Sequence, residues 1–437
     1  MGFIAAAERF DSKGAGKHVL TMNSSESAAA GEYAKPRSAF RHRGYLLYWL
    51  SRFAATFATQ IVSVAVGWQV YDLTREPFDL GLVGLVQFLP ALTLVLVTGA
   101  AADRFNRRLI IALCLALEAL VCLAFVVFTA RGINVVWPIF VVLVVLGIAR
   151  AFFGPASQSL LPNLVPAEDL SNAIAWNSSS WQVATILGPA AGGLLYGVSA
   201  LTAYGTAFVL MSGAALLALA IPKPPQRGSA AATTLETLFA GFRYVWSEKV
   251  VLGAISLDLF AVLLGGAVAL LPVYARDILD AGPWGLGLLR SASGAGAILV
   301  ALWLTRNPIR DHAGFIMFLF VAGFGVFTVV FGLSTVIWLS VLALMIMGAC
   351  DMVSVYIREV LIQLWTPDTV RGRVNAVNMV FVGASNELGE FRAGVMAALV
   401  GAVPAVVIGG LGTIAVAGLW AVWFPQLRRI RHLDRRG

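Results

Sequence analysis

Three charged side chains stand close together in a stretch of the chain that is otherwise apolar. Glu387, Glu390 and Arg392 fall within the segment ASNELGEFRAG. In a helix, Glu387 and Glu390 share one face with Gly383 and Gly394. Two carboxylates one turn apart in a medium of low dielectric repel each other, so each favours its protonated form. A pair that can load and release protons has the chemistry that proton-coupled transport requires.

Other charges within apolar stretches extend this set. Glu118 and Asp258 are further candidates for proton coupling, because charged side chains in a membrane are costly and usually functional. Alternatively, Glu387 and Glu390 form ion pairs with arginines of neighbouring helices. Arg392 lies on a different face and nearer a helix end, so its side chain is expected to extend to the membrane interface.

The rest of the chain predicts an α-helical protein that crosses the membrane many times. Its 437 residues are 59% hydrophobic and only 12% charged, whereas soluble domains carry about 25% charged residues. Apolar runs of about 20 residues, long enough to cross ~30 Å of hydrocarbon, recur throughout. The twelve predicted spans are 45–71, 78–98, 108–130, 135–157, 171–197, 201–221, 250–274, 284–305, 314–333, 336–358, 374–398 and 402–424.

Positive charge is distributed unevenly about these spans. Most Lys and Arg residues fall on one side, and only Arg75, Arg131 and Arg276 fall in segments on the other. Because positive loops stay in the cytoplasm, both termini are predicted to be cytoplasmic. The same asymmetry explains the net charge of +8 without nucleic acid.

The composition divides the chain into five segments. These are an N-terminal tail (1–44), a first six-helix half (45–221), a linker (222–249), a second half (250–424) and a basic tail (425–437). The tail lacks the apolar core of a cleavable signal peptide, so none is predicted. The linker ends in TTLETLFAGFRYVWSEK, which predicts an amphipathic helix at the interface or, alternatively, an extension of span seven.

The two halves contain a repeat. Residues 147–195 align without a gap onto 348–396, and the identities are mostly Gly, Pro and Asn, as where Gly147 meets Gly348. Both copies run in the same direction, which is one of the internal-repeat layouts of secondary transporters, with substrate sites near the midplane between the repeats. The repeat therefore predicts that ASNELGEFRAG faces a central cavity.

The loop GAAADRFNRR between spans two and three resembles a motif of the major facilitator superfamily, Gly-x-x-x-Asp-Arg/Lys-x-Gly-Arg/Lys-Arg/Lys. Asn106 replaces the second glycine, and it is expected to preserve a left-handed turn. The resemblance implies that this loop steadies one state of an alternating-access cycle; otherwise it only sets topology. The matching residues are Gly99, Asp103, Arg104, Arg107 and Arg108.

Two further segments resemble motifs of exporters in this superfamily. LGIARAFFG resembles Leu-x-x-x-Arg-x-x-x-Gly, which implies a role in proton coupling for Arg150; alternatively, Arg150 only extends to the interface. GPAAGG resembles a helix-bending motif of span five that marks export, although Ala175 and Ala184 replace its upstream glycines. The alternative is close packing alone. The residues concerned are Gly188, Pro189, Gly192 and Gly193.

The remaining polar residues of the spans have more local expectations. Arg150 and Asp351 are equivalent under the repeat, so they are predicted to approach each other when the cytoplasmic side closes. Arg52 and Arg290 lie nearer the interfaces and are expected to extend toward them. The polar side chains predicted to line the substrate cavity are Gln60, Asn177, Asn378 and Asn386.

Resemblance and composition together predict an all-α membrane protein of twelve helices in two pseudo-symmetric halves. Over residues 41–425 the chain resembles bacterial efflux proteins related to the enterobactin (siderophore) exporter. This implies a transporter of the bacterial inner membrane that exports a small amphipathic molecule, siderophore or drug-like, by proton antiport with alternating access. The alternatives are a solute uptake permease and a non-transporting receptor or scaffold.

Neither a metal nor a cofactor is expected. The spans contain no histidine, the cysteines lack metal-ligand spacing, and no P-loop is present, so the proton gradient is the expected energy source. No catalytic site is visible, which argues against an enzyme. The expected partners are the substrate, protons and the lipid bilayer, without nucleic acid, and the protein is expected to be a monomer.

Overall fold

The computed structural model describes residues 38–223, 235–309 and 311–431. Within these ranges the chain is almost entirely helical and contains no strand. The first half consists of α1 (Arg43–Thr74), α2 (Pro77–Arg104), α3 (Arg107–Ala130), α4 (Trp137–Leu160), α5 (Ala167–Val198) and α6 (Ala200–Ala220).

The second half follows a short linker helix, α7 (Leu235–Ser247). Its six long helices are α8 (Lys249–Gly265), α9 (Gly282–Arg306), α10 (Ala313–Leu333), α11 (Ile337–Trp365), α12 (Asp368–Val400) and α13 (Ala402–Trp423). A last turn, α14 (Pro425–Arg428), precedes the basic tail. The predicted all-α fold with twelve long helices in two halves is confirmed.

Ten of the twelve helices are long and apolar enough to cross a membrane. The other two are α5 and α12, with 32 and 33 residues, and the repeat makes them equivalent to each other. Both are more polar because both lie where the halves meet: α5 packs on α9, and α12 packs on α2. Polar residues are tolerated in a membrane helix that faces protein or a cavity instead of lipid.

Glycines set both contacts between the halves. A Cβ on Gly193 of α5 would lie 2.9 Å from the Cα of Gly287 in α9. A Cβ on Gly394 of α12 would lie 2.8 Å from the Cα of Gly81 in α2. Because Gly193 and Gly394 are equivalent under the repeat, the same backbone approach is built twice, as small residues allow in membrane proteins.

The rest of the GPAAGG segment also packs closely. A Cβ on Gly188 would lie 2.5 Å from the Cβ of Gln60, and one on Gly192 would lie 3.0 Å from the Cα of Ile61. Helix α5 continues through Pro189 to Val198. The contacts are therefore those of the close-packing alternative, and a bending role for this motif stays a prediction.

The loop between α2 and α3 differs from the predicted left-handed turn. Asn106 has φ −66° and ψ 107°, and its side-chain oxygen accepts a hydrogen bond from the backbone N–H of Arg108 at 3.1 Å. Asn106 is thus the N-cap of α3, and the prediction of a left-handed residue was wrong. The cap satisfies a free N–H at the helix start, so the turn needs no positive φ.

The arginines of this motif tie helix ends together. Arg107 is buried, and its guanidinium donates to the carbonyl oxygens of Ala102 and Ser159, both at 3.0 Å. Arg108 donates to the carbonyl oxygen of Leu219 at 2.5 Å. Of the remaining members of the motif, Arg104 is exposed and Gly99 has open space beside it, while the side chain of Asp103 lies outside the described part of the chain.

The predicted linker helix forms as a helix of its own. It ends at Ser247, and α8 begins at Lys249 after Glu248. It packs on α12, where a Cβ on Gly241 would lie 2.8 Å from the carbonyl oxygen of Arg373. Its place at the membrane interface stays a prediction. Residues 1–37, 224–234, 310 and 432–437 lie outside the described part of the chain.

Candidate functional site

A cavity of about 290 Å³ lies between the two halves. Its wall is formed by α1, α2, α4 and α5 of the first half and by α9, α11, α12 and residues 268–272 of the second. The lining mixes apolar and polar side chains, and four charged side chains face the cavity: Arg150, Arg290, Glu387 and Glu390. The structure thus places two of the predicted proton-coupling residues and the predicted Arg150 in one site.

The two carboxyl groups converge on bare backbone of α2. A Cβ on Gly84 would lie 2.9 Å from Oε2 of Glu387 and 3.2 Å from Oε2 of Glu390. Among the described residues, neither carboxylate is within ion-pair distance of an arginine. The alternative that these residues are simply paired with neighbouring arginines is therefore not seen in this conformation.

The two arginines of the cavity bind neutral partners. Arg150 donates from Nη1 to Oε1 of Gln87 at 2.8 Å, and Arg290 donates from Nη1 to Oγ of Ser63 at 2.5 Å. Nε of Arg290 is buried without a hydrogen-bond partner among the described residues. The expectation that Arg290 extends to the interface was wrong, because α9 lies at the contact between the halves and turns this residue inward.

Charge in the cavity is balanced at longer range. Arg150 interacts electrostatically with Glu387, and Arg290 interacts with Glu390. Glu118 also interacts with Arg150, but it is buried inside the first half and is not among the residues that line the cavity. Two cations and two carboxyl groups without direct contacts leave donors and acceptors available to a ligand or a proton.

Only one of the four predicted substrate-cavity residues faces this cavity. Gln60 lines it. Asn378 precedes Glu387 by nine residues on α12, is buried, and donates to Oε1 of Glu359 at 2.9 Å, while Asn386 is exposed and donates to its own helix. Asn177, the counterpart of Asn378, is likewise not among the residues that line it.

A second charged cluster lies inside the second half. Asp258 of α8 forms an ion pair with Arg358 of α11, and both side chains are buried. Asp351 shares a small separate pocket with Asp258. In this conformation Asp351 is therefore not brought to Arg150, which lines the central cavity. Sequence reasoning missed Arg358, although an isolated acid such as Asp258 in an apolar span signals the need for a basic partner.

The side chain of Arg392 binds backbone carbonyl groups at the end of α8, where this helix is interrupted. It donates from Nε to the carbonyl oxygen of Leu263 at 2.8 Å and from Nη2 to that of Leu264. The expectation that Arg392 extends to the interface was wrong. Helix α8 ends beside it at Gly265, and the carbonyl groups at that end need donors that the helix no longer supplies.

Ion pairs join the halves at one end of the bundle. We call the face at which α1 begins the basic face and the face at which it ends the opposite face. On the opposite face, Asp72 pairs with Arg276, Arg75 pairs with Asp277 at 3.2 Å, and the hydroxyl of Tyr71 donates to Asp277. We call these five residues the opposite-face network. Sequence reasoning missed it, although its two arginines are among the few cations predicted on that side.

Comparison with known proteins decides the family. The sequence profile of the transmembrane secretion effector family matches residues 34–435. The chain belongs to this family. It is thus a transporter of the major facilitator superfamily and not an enzyme.

Relatives of this chain include named exporters. The enterobactin exporter of Citrobacter koseri is 25% identical over 406 residues, covering 89% of this chain and 94% of the relative. The enterobactin exporter of Escherichia coli O81 is 25% identical over 401 residues with the same coverage. These similarities extend over nearly the whole length of this chain and of each relative.

Solved structures share the fold. A bacterial homologue of the human lysosomal transporter Spinster, in an inward-facing and unoccupied conformation, matches with a TM-score of 0.67 at 14% identity, covering 89% of this chain and 96% of that one. The nucleoside transporter NupG matches with a TM-score of 0.68 at 16% identity, covering 87% and 99%. At such identities the likeness concerns the fold alone.

Proposed function

We propose that this transporter exports a small amphipathic molecule, siderophore-like or drug-like, in exchange for protons. The observation that carries the proposal is the central cavity, where two carboxyl groups lie unpaired among apolar side chains and arginines. A lining that mixes apolar and polar side chains suits an amphipathic substrate. The similarity to enterobactin exporters supports export and a siderophore-like substrate.

In this proposal Glu387 is the principal proton carrier. It lies near the middle of α12 and faces the cavity, so it can be reached from either side as the halves rock. Glu390 tunes it through repulsion one turn away. Arg150 supplies a positive charge that Glu387 meets when it is deprotonated. Glu118 supports Arg150 from inside the first half.

The conformation corresponds to one stage of this cycle. The opposite-face network and the Gly193 and Gly394 contacts all lie toward the opposite face, so the halves are joined there. With both termini in the cytoplasm, as the charge distribution predicts, the opposite face is the outer face. We therefore assign this conformation to the inward-facing side of the cycle.

Transport in proteoliposomes tests the exchange. With enterobactin and a lipophilic cationic dye as separate probes, an imposed pH gradient should drive accumulation of at least one probe in the more acidic compartment, and a protonophore should abolish it. Accumulation that ignores the pH gradient would refute proton antiport. Accumulation only in the less acidic compartment would favour the uptake alternative.

Labelling in intact cells tests the orientation. Val135 is exposed in the loop after α3, on the opposite face, and Asn307 is exposed after α9, on the basic face. A membrane-impermeant maleimide should modify a cysteine at Val135 but not one at Asn307. The three native cysteines are buried, so they contribute little background. Modification at Asn307 alone would reverse the orientation.

A further inference from the structure

The predicted span seven consists of a regular α-helix, α8, followed by a segment of irregular backbone. The α-helix ends at Gly265, and the chain continues through a 3-10 turn (Val268–Leu270), a short turn and a π-helical turn (Tyr274–Ile278). Irregular backbone at membrane depth must have its carbonyl groups satisfied by the protein. Single π turns often mark functional positions.

The carbonyl groups at this break are held by side chains of two other helices. Arg392 of α12 binds the carbonyl oxygens of Leu263 and Leu264, and Thr413 of α13 donates to that of Ala261 at 2.9 Å. Arg392 carries a positive charge, which the negative end of the α8 dipole favours. Within the described residues it forms no ion pair, so the break is its principal partner.

The surrounding glycines fix this contact at short range. A Cβ on Gly389 of α12 would lie 3.0 Å from the carbonyl oxygen of Val262. A Cβ on Gly409 of α13 would lie 2.4 Å from the carbonyl oxygen of Leu264. Helices α12 and α13 thus meet the end of α8 backbone to backbone, and the guanidinium reaches the carbonyl groups directly.

Two functional regions lie on either side of this contact. On α12, Arg392 follows Glu390 by two residues and Glu387 by five, and those carboxyl groups face the central cavity. Beyond the break, the π turn carries Arg276 and Asp277, which join the first half in the opposite-face network. One guanidinium therefore connects the helix of the carboxyl groups to the last turn of α8, and the chain leads from that turn into the segment that joins the opposite face.

We propose that Arg392 is a positioning residue that makes α12 and the last turn of α8 move as one unit, and that this turn carries with it the segment beyond the break. A shift of α12 when the cavity carboxyl groups change protonation would then withdraw Arg276 and Asp277 from α1 and open the opposite face. The part that concerns protonation rests on the proposed function. The mechanical link rests on the hydrogen bonds of Arg392 alone.

Distances between spin labels test the link in the full-length protein. Labels on cysteines at Val135 and Val336, which are 50% and 54% exposed on the opposite face of the two halves, report its opening. Arg392→Met removes the donors at similar length. It should broaden the distance distribution, lower the maximal transport rate of the probe by about tenfold, equivalent to about 1.4 kcal/mol, and leave KM nearly unchanged because Arg392 does not line the cavity.

A conservative variant and a matched arginine complete the design. Arg392→Lys keeps the charge at the end of α8 with a single nitrogen donor group, so it should restore part of the rate and narrow the distribution again. The control is Arg52→Met, because Arg52 is also intramembrane but binds only Tyr48 and Ser157 within the first half. It should leave the width of the distribution as it is in the unaltered protein.

Combination with Glu387→Gln separates this inference from the proposed function. Glu387→Gln should shift the distribution in the unaltered protein but not in the Arg392→Met background. A shift of equal size in both backgrounds would overturn the link through Arg392. If Glu387→Gln shifts the distance distribution in neither background, the proposed proton role of Glu387 is wrong. The mechanical link is then tested by the width of the distribution alone, and a width that is unchanged in both Arg392→Met and Arg392→Lys would overturn the link.

Discussion

Glu387→Gln should abolish transport driven by a pH gradient while leaving exchange of labelled for unlabelled probe within about twofold of the original rate. The amide mimics a permanently protonated carboxyl group, so the cavity keeps its shape and much of its hydrogen bonding but cannot release a proton. Exchange needs only the substrate to bind and the halves to rock, whereas uphill transport needs the proton cycle. Both quantities are measured in proteoliposomes, with and without an imposed gradient.

Two variants make this result specific. Glu168→Gln changes an exposed carboxylate at the start of α5, so it should leave gradient-driven transport intact. Gly84→Ala places a methyl group against the Oε2 atoms of Glu387 and Glu390, which can move aside, so it should impair gradient-driven transport more than it impairs folding. Normal gradient-driven transport by Glu387→Gln would remove this residue from the coupling mechanism.

The sequence predicted correctly those features that depend on a single helix or on the internal repeat. Apolar length placed the twelve helices, and the repeat placed Glu387 and Glu390 on a helix at the contact between the halves. Helical spacing also separated Arg392 from the face that the two carboxyl groups share. All of these are properties of a helix by itself, or of two copies related by symmetry.

The sequence did not predict those side-chain directions and partners that depend on contacts with a neighbouring helix. The direction of Arg290 depends on the inward face of α9, and the partners of Arg392 exist only because α8 breaks beside it. The opposite-face network joins residues more than two hundred positions apart. Periodicity gives the face of a residue on its own helix but not the helix that the face meets.

The partner of Asp258 changes how this residue is interpreted. From the sequence, Asp258 was a candidate proton carrier because it lay alone in an apolar span. In the structure its carboxylate is paired with Arg358 inside the second half, away from the central cavity. A charge with a dedicated buried partner serves packing of α8 against α11 more directly than proton transfer.

Removal of either partner alone should therefore strongly destabilise the protein. Asp258→Ala or Arg358→Ala leaves an uncompensated charge in a low-dielectric interior, which typically costs about 3–5 kcal/mol. The combined variant Asp258→Leu with Arg358→Met removes both charges and keeps similar volume, so it should recover most of the stability. The free energy of unfolding in detergent micelles, followed through tryptophan fluorescence, measures all three.

A partly exposed pair on the basic face provides the comparison. Asp169 lies 2.8 Å from His42, with 21% and 33% of the two side chains exposed, so Asp169→Asn should destabilise the protein far less than either single variant of the buried pair. A single Asp258 variant that is equally mild would contradict the buried-pair account. If the combined variant regains stability and still transports its probe under a pH gradient, Asp258 holds the second half together and carries no proton. The candidates that remain are then Glu387, Glu390 and Glu118, of which the first two line the central cavity.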